Sequence, residues 1–512
     1  MDNLPAVVRL FNQEDPSDVV FERGFPLGFA GPSESGDGVS HYLFNHLHFV
    51  VRYHDSPEFE GSRVVGLEVE PFSVKHKYVA EQWKEGVQLS TCNPAVHVDR
   101  NAEPMVIDGG AEVIFTYDVL WEASDTPWGQ RWDVYLTATA GDADVHWFSI
   151  ANSVIVVVFL SSLIITALVR ALYRDIAQYN EQLTPEEQAE ETGWKLVHGD
   201  VFRPPQGFFG PMFLSVFVGS GAQLVCTMFA VLLLAALGFL SPANRGALLT
   251  SLILIYMFLG AVAGYTSSRM YKTFRGKAWK RNTVLTAMSF PGMVFGVVLF
   301  LNFFVWGKGS SMAVPFLTLL TLLVLWFGVS TPLVFAGAYL GFRKDEMQQP
   351  CRTNQIARQV PEQPWYSMPV PCIAMGGLLP FGAIFVELFF IMSSIWQQHA
   401  YYVFGFLALV FLITLVTVAE ISVVMTYFQL SAEDYNWWWR SFLTPASAAG
   451  YVFLYAVVFY FTRLEIEAGV ATLMYFLYTA VACWGLFLLM GSVGFLSSLW
   501  FNRTIYAAIK SD

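Results

Sequence analysis

Between Trp147 and Phe501 the chain is a succession of apolar runs long enough to cross a lipid bilayer, and this limits its folds more than any other feature. A hydrocarbon core about 30 Å thick takes about 20 helical residues, and a lipid-exposed segment must satisfy its own backbone polar groups. Nine runs meet the requirement: Trp147–Val169, Phe208–Leu240, Gly246–Ser268, Asn282–Gly307, Ser311–Phe342, Met368–Trp396, Ala400–Leu430, Ser441–Phe461 and Ala468–Phe501. The second, fifth and ninth exceed the minimum, so tilt, an interfacial lead-in or a kink at Pro315 or Pro332 is expected. With 55% apolar and only 14% charged residues, against about 25% charged in soluble domains, a soluble fold would have to bury nearly everything.

Charge marks the other boundary. Residues 1–146 hold 24 of the 41 acids and 9 of the 29 bases, a net −15, whereas the remainder is net +3. Within the acidic part, the alternating stretches Leu47–Tyr53, Val64–Val69, Val113–Val119 and Trp132–Thr139 are separated by Gly, Pro, Asn and Asp, which predicts strands. The expected fold is therefore an α-helical polytopic membrane protein with nine transmembrane helices, preceded by a small all-β, sandwich-like domain at 1–146. Phe25–Gly38 reads as a loop. The spans occupy 147–501, and 502–512 form a tail.

Five scattered cysteines offer the N-terminal domain no disulfide, since Cys92 stands alone there. Met1–Leu10 has neither the basic start nor the apolar core of a signal peptide. Lys and Arg then orient the spans, because basic loops are retained in the cytosol. With the N-terminal domain outside, seventeen bases fall on the cytosolic side, against Arg245, Lys308 and Arg463 opposite.

Glu387 and Glu420 are the charged residues inside the spans, where an ionisable group is costly unless paired, neutralised or hydrated. One reading is an ion or proton site shared by consecutive spans; the other is structural, with Ser393, Thr417, Ser422 or Tyr427 as bonding partners. His41, His46, His48 and His54 cluster, and His46 and His48 would share a strand face. Two imidazoles two residues apart could contribute to a metal site, but the favoured reading is ordinary domain histidines, and no metal or other cofactor is expected. Trp437, Trp438, Trp439 and Arg440 adjoin the end of span seven, as an interfacial anchor would, with a cargo or lipid contact as the alternative. The basic run Arg269–Arg281 reads as a topology determinant that also attracts anionic lipid headgroups. Gly260 with Gly264, Gly292 with Gly296, Gly337 with Gly341 and Gly491 with Gly494 allow close helix approach. No HExxH, GxSxG, Walker A or Rossmann pattern is present, so an enzyme is not expected, nor a nucleic-acid partner.

Several long motifs resemble the nonaspanins, the transmembrane 9 superfamily of the endomembrane protein 70 type. They are Gly193-Trp194-Lys195-Leu196-Val197-His198-Gly199-Asp200-Val201-Phe202-Arg203-Pro204-Pro205, Leu379–Gly382 with Val386–Phe390, and Tyr427–Arg440. Asp2–Pro5 and Tyr42–His46 resemble the family's N-terminal domain. The resemblance implies a Golgi and endosomal membrane protein with a lumenal N-terminal domain and a cytosolic tail. It also implies a non-enzymatic role in sorting or escorting other membrane proteins, notably cargo with Gly-rich spans. Lys510 and Asp512 resemble the family's C-terminal signal, which implies the COPI coat as a partner beside membrane lipids and cargo membrane proteins. Members usually begin with a signal peptide and further lumenal sequence, so a shortened N-terminus is expected. Ion-, proton- or metal-coupled transport through Glu387 and Glu420, and a lumenal ligand receptor, are the competing expectations.

Overall fold

The computed structural model describes residues 6–11, 19–32, 39–55, 61–77, 89–92, 98, 103–107, 113–128, 131, 143–180, 193–206, 210–237, 239, 245–307, 313–397, 403–464 and 469–509. The chain divides into two compact units: Met1–Ser149 with Pro242–Asn244 and Gln398–Tyr402, and the remainder.

The first unit is built from β1 (Val7–Phe11), β2 (Val19–Arg23), β3 (Gly28–Pro32), β4 (Val39–Leu43), β5 (His46–His54), β6 (Arg63–Phe72) and β7 (Thr116–Ala123). Five of these form a mixed sheet in the order β2-β1-β6-β5-β7, and β3 pairs with β4 alone. The predicted alternation in β5 and β6 buries Val51, Val65 and Val69 on one side, as period-2 patterning requires, and Val50 is buried on the other. β5 runs antiparallel to β6 and parallel to β7, aligning His46 with Thr116 and His48 with Asp118. The predicted Phe25–Gly38 loop is corrected: Gly28–Pro32 is a strand, admitted because Gly28 has no Cβ to meet the Tyr42 carbonyl across the pair. Trp132–Thr139 lies outside the described residues. Asn45 ties the sheet together. Its buried amide donates to the carbonyls of Val74 and Ile114 at 2.8 and 3.0 Å and accepts from the Val74 N–H at 2.8 Å.

The second unit is helical, from residue 150 of α1 (Ala143–Asn180) onward: α2 (Pro211–Ala236), α3 (Arg245–Phe258), α4 (Gly260–Thr273), α5 (Trp279–Gly307), α6 (Phe316–Leu325), α7 (Thr331–Arg343), α8 (Pro369–Gln397), α9 (Val403–Ser431), α10 (Trp437–Ala446), α11 (Ala448–Arg463) and α12 (Gly469–Ala508). Each predicted span coincides with one of these helices or a consecutive pair. Among the described residues seven helical segments are long and apolar enough to cross a membrane, or eight with the pair α3–α4, bent by 40°. In α8 the apolar stretch Pro369–Gly382 is shorter than the rest.

The breaks have local causes. Pro315 caps α6 rather than kinking it, and a π-turn at Trp326–Ser330 precedes Pro332, whose missing N–H cannot continue the helical ladder. Small residues let α4 and α7 meet along one seam: Gly264 faces the backbone of Val334 and Ala338, and Gly337 faces Ala261. A Cβ at either glycine would strike main chain. α12 has 40 residues, about 60 Å of helix, roughly twice a bilayer core. Its C-terminal half carries the largest buried cluster, with Leu488, Phe495 and Tyr506 packed around Trp194, Trp437 and Phe442.

Candidate functional site

The residues that the sequence singles out in separate places converge here on one structure. Gly193 has φ 110°, a backbone that only glycine adopts without strain, and it opens a tight turn over Trp194–Val197. The turn drives Trp194 into the helical core, where it is fully buried. Its indole N–H donates to Asp175 on α1 at 3.1 Å, and its carbonyl accepts from the Tyr506 hydroxyl at 2.7 Å. Asp200 is buried and ion-paired with Arg203, whose guanidinium also donates to the Asn354 carbonyl at 2.8 Å. The 354–358 loop is drawn in reciprocally, by Asn354 N–H to the Gly199 carbonyl and Arg358 N–H to the Asp200 carboxylate.

The Tyr427–Arg440 motif closes the other side. Trp437 donates to the Val201 carbonyl and Trp438 to the Arg203 carbonyl, each at 2.7 Å. The two indoles stack with centroids 4.0 Å apart. Arg440 meets Asp434 at 2.8 Å with both side chains about nine-tenths buried, and its other nitrogen donates to the Ser367 carbonyl at 2.9 Å. Gln429 donates to the same carboxylate at 3.0 Å, and the exposed-side pair Arg358–Glu433 adds 2.8 Å. Trp437, Trp438 and Arg440, expected as an interfacial anchor, are 0%, 3% and 7% exposed and form part of a core. The cause is polar satisfaction, since both indole N–H groups find backbone carbonyls and the guanidinium finds a carboxylate, so burial leaves their main donors paired. Trp439 is half-buried and packs edge-on to Phe217.

Of the intramembrane acids, Glu420 lies within α9 and accepts from the Ser161 hydroxyl of α1 at 2.9 Å. Its other oxygen is buried with no partner among the described residues. Of the neighbours proposed from sequence, Thr417 bonds the Ile413 carbonyl and Tyr427 donates to Asp175 at 2.9 Å, the Ser422 hydroxyl has no partner among the described residues, and the Ser393 side chain lies outside them. Glu387 falls in α8, but its side chain lies outside the described residues, as do Lys510 and Asp512. In the basic run, Lys272 donates to the Phe342 carbonyl in the last turn of α7 and to the Lys344 carbonyl just past it, at 2.8 and 2.6 Å, so that charge caps a helix end.

In the β unit His46 and His48 do share a face, and both meet the Asp118 carboxylate, at 3.4 and 2.6 Å. His46 is buried and also contacts Thr116, which bonds His76 at 2.9 Å. Burial lowers the pKa of His46 below the usual histidine range despite the opposing Asp118 charge, and burial likewise lowers that of His76. His41 is exposed and His54 bonds the Ser124 carbonyl, so the four do not form one site. Among the described residues no group of three or more His, Cys, Asp or Glu side chains could hold a metal ion.

The family model described as Endomembrane protein 70 matches residues 1–469. The chain belongs to that family. It is 48% identical to Transmembrane 9 superfamily member 10 of Arabidopsis thaliana, over the whole of this chain and 80% of the relative. It is 47% identical to Transmembrane 9 superfamily member 4 of Homo sapiens, over the whole chain and 79% of that protein. Member 2 of Mus musculus is 42% identical over the whole chain and 77% of its own length. No solved structure matches the chain.

As a transmembrane 9 superfamily member, the protein is a polytopic membrane protein, and two motifs that carry the resemblance are the segments that build the buried knot. Sequence reasoning missed Asp175 and Ser161. Each is a polar residue on α1 that meets a partner on α9, and the available signal was Ser161 beside Ser162 in the middle of an apolar span.

Proposed function

We propose that this chain is a non-enzymatic sorting or escort protein of Golgi and endosomal membranes that recognises other membrane proteins laterally, through its helices. The supporting observation is the condition of α1. Within its apolar stretch Val157–Ala177 only 6% is buried, against 56% for Pro211–Ala235 in α2, so α1 presents a long unpacked flank inside the bilayer. Family membership favours the same reading. The N-terminal domain is lumenal and the basic loops are cytosolic in this proposal, and Lys510 with Asp512 engages the COPI coat.

The direct test is removal of the protein from cells, followed by the surface-to-Golgi ratio of a panel of membrane proteins. Unchanged distribution of all of them, with the protein's absence verified, would sink the sorting reading. Orientation is tested by cysteine labelling: a site in the Arg269–Arg281 loop should react from the cytosol and one at Gly109 should not. Appending residues after Asp512 should shift the protein from Golgi to later compartments, and unchanged residence would exclude the tail signal.

A second reading, ion- or proton-coupled transport, is favoured by the unpartnered Glu420 oxygen. Proteoliposome flux that vanishes in Glu420→Gln would establish it. Absence of flux, together with cargo missorting on depletion, would leave sorting alone.

A further inference from the structure

The basic-side end of α12 carries a cleft that none of the motifs accounts for. It measures ≈ 660 Å³ and lies between one face of the helix and the 348–350 loop. On the helix its lining recurs at 496, 499, 500, 503, 504 and 507, the i, i+3, i+4 spacing of a single face, about 16 Å from end to end. Chemistry changes along that face. Leu496, Leu499 and Trp500 make an apolar end, with Trp500 71% exposed, and Arg503 and Thr504 make a polar end.

Two features of the polar end call for a ligand. Arg503 is held by neutral groups, the Met347 sulfur at 3.9 Å and the Gln348 carbonyl at 3.2 Å, and among the described residues it is in no ion pair. Gln349, which also lines the cleft, has both its amide nitrogen and its amide oxygen buried in the cleft wall with no partner among the described residues. Such groups are costly when left unmet. The cleft therefore offers an uncompensated cation, one free donor and one free acceptor beside an apolar slope topped by an exposed indole, the side chain that favours the membrane boundary.

We propose that this cleft binds a single anionic phospholipid whose headgroup also carries a hydrogen-bond donor. With the Gln349 amide turned out of the cleft wall, the phosphate meets Arg503 and the amide N–H, a headgroup hydroxyl donates to the amide oxygen, and an acyl chain lies along Trp500 and Leu496. The net charge at the site selects an anionic over a zwitterionic lipid, and the free acceptor selects a hydroxyl-bearing headgroup. The proposal is independent of the sorting reading.

The test uses the full chain, purified and delipidated in detergent, with separate native mass-spectrometry titrations of phosphatidylinositol and phosphatidylcholine. Wild type should retain phosphatidylinositol about tenfold more tightly than phosphatidylcholine. Arg503→Gln should lose about tenfold for phosphatidylinositol and little for phosphatidylcholine; Arg503→Lys, which keeps the charge without the fork, should lose about threefold. Gln349→Leu should weaken phosphatidylinositol alone. Should Arg503→Gln fail to fold, judged by its melting temperature, the Lys and Leu variants decide. Equal retention of phosphatidylinositol by wild type and the folded variants would overturn the proposal. Displacement of the lipid by inorganic phosphate alone would overturn it in favour of a simple anion site. Several-fold tighter lipid binding by a chain ending at Ile509 would overturn it too, because the chain's own last residues would then be the occupant.

Discussion

The knot around Trp194 and Trp437 and the helix α1 are both assembled from partners far apart in sequence, yet they are held in opposite ways. The knot excludes solvent, and its charges and indole N–H groups are met by carboxylates and backbone carbonyls. Helix α1 touches α9 through two side-chain hydrogen bonds, Ser161 to Glu420 and Tyr427 to Asp175, while Phe159, Leu160 and Leu163 stay half exposed or more. The difference follows from solvent. In lipid, apolar side chains gain little by packing on one another, so a helix with few polar contacts is held weakly. In the knot, buried polar groups make any departure expensive. The rigid part and the adjustable part of one helical unit thus differ in polar pairing more than in hydrophobicity.

The largest expected effect is on the knot. Arg440→Met leaves Asp434 buried and charged without its cation, which costs about 3–5 kcal/mol. The melting temperature of the purified protein should fall accordingly. Arg440→Lys, which keeps a charge but not the reach to both Asp434 and Ser367, should fall less. A melting temperature unchanged in Arg440→Met would mean that the knot is not what stabilises the unit.

Next in size is the junction of the two regions. Asp175→Ala removes the acceptor for both the Trp194 indole and the Tyr427 hydroxyl, a loss of roughly 2–3 kcal/mol for two donors to a charged group. The expected signature is uneven: a cysteine introduced at Ile176 should gain reactivity while one beside Trp438 stays protected. Equal gains at both would show that α1 and the knot open as one body, and the contrast between them would be lost.

What could be seen in the sequence, and what could not, divides along the same line. Span positions are local, fixed by charge-free runs of bilayer length, and β5 and β6 are visible in their alternation. The roles of Trp437 and Trp438 depend on carbonyls at Val201 and Arg203, more than two hundred residues away, and no local signal reports such a pairing. A Trp run beside a span reads as an interfacial belt until those acceptors are known. Strand β3 was hidden for a different reason. Its Gly28, Gly31 and Pro32 have low strand propensity, and only pairing with β4 makes it extended. Of the candidate sites, Glu420 was visible as an acid in lipid, whereas its partner Ser161 was signalled only by the Ser161-Ser162 pair, which does not say what helix it meets.

A moderate effect is expected from Trp438→Phe, which keeps an aromatic ring stacked on Trp437 but strands the Arg203 carbonyl, at about 1–2 kcal/mol. A loss of stability as large as that of Arg440→Met would mean that the ring's packing, rather than the indole N–H, carries its role.

The smallest effect belongs to the membrane contact itself. Ser161→Ala deletes one hydroxyl donor to Glu420, and hydrogen bonds between membrane helices average only about 0.6 kcal/mol because the separated helices find other partners. Stability should barely move. The informative quantity is the distance between α1 and α9, read from spin labels at exposed Phe159 and Leu412. With Glu420 deprived of its described donor, and Asp175 still joined to Tyr427 at the other end, α1 should pivot rather than detach, so the label distribution should broaden at Phe159 and stay narrow near Tyr173. Glu420→Gln is the companion variant: its amide oxygen still accepts from Ser161, so it should keep the narrow distribution while removing ionisation. If Ser161→Ala leaves the Phe159 distribution unchanged, α1 is held by packing after all, and its exposed flank is no freer to receive another helix than the rest of the bundle.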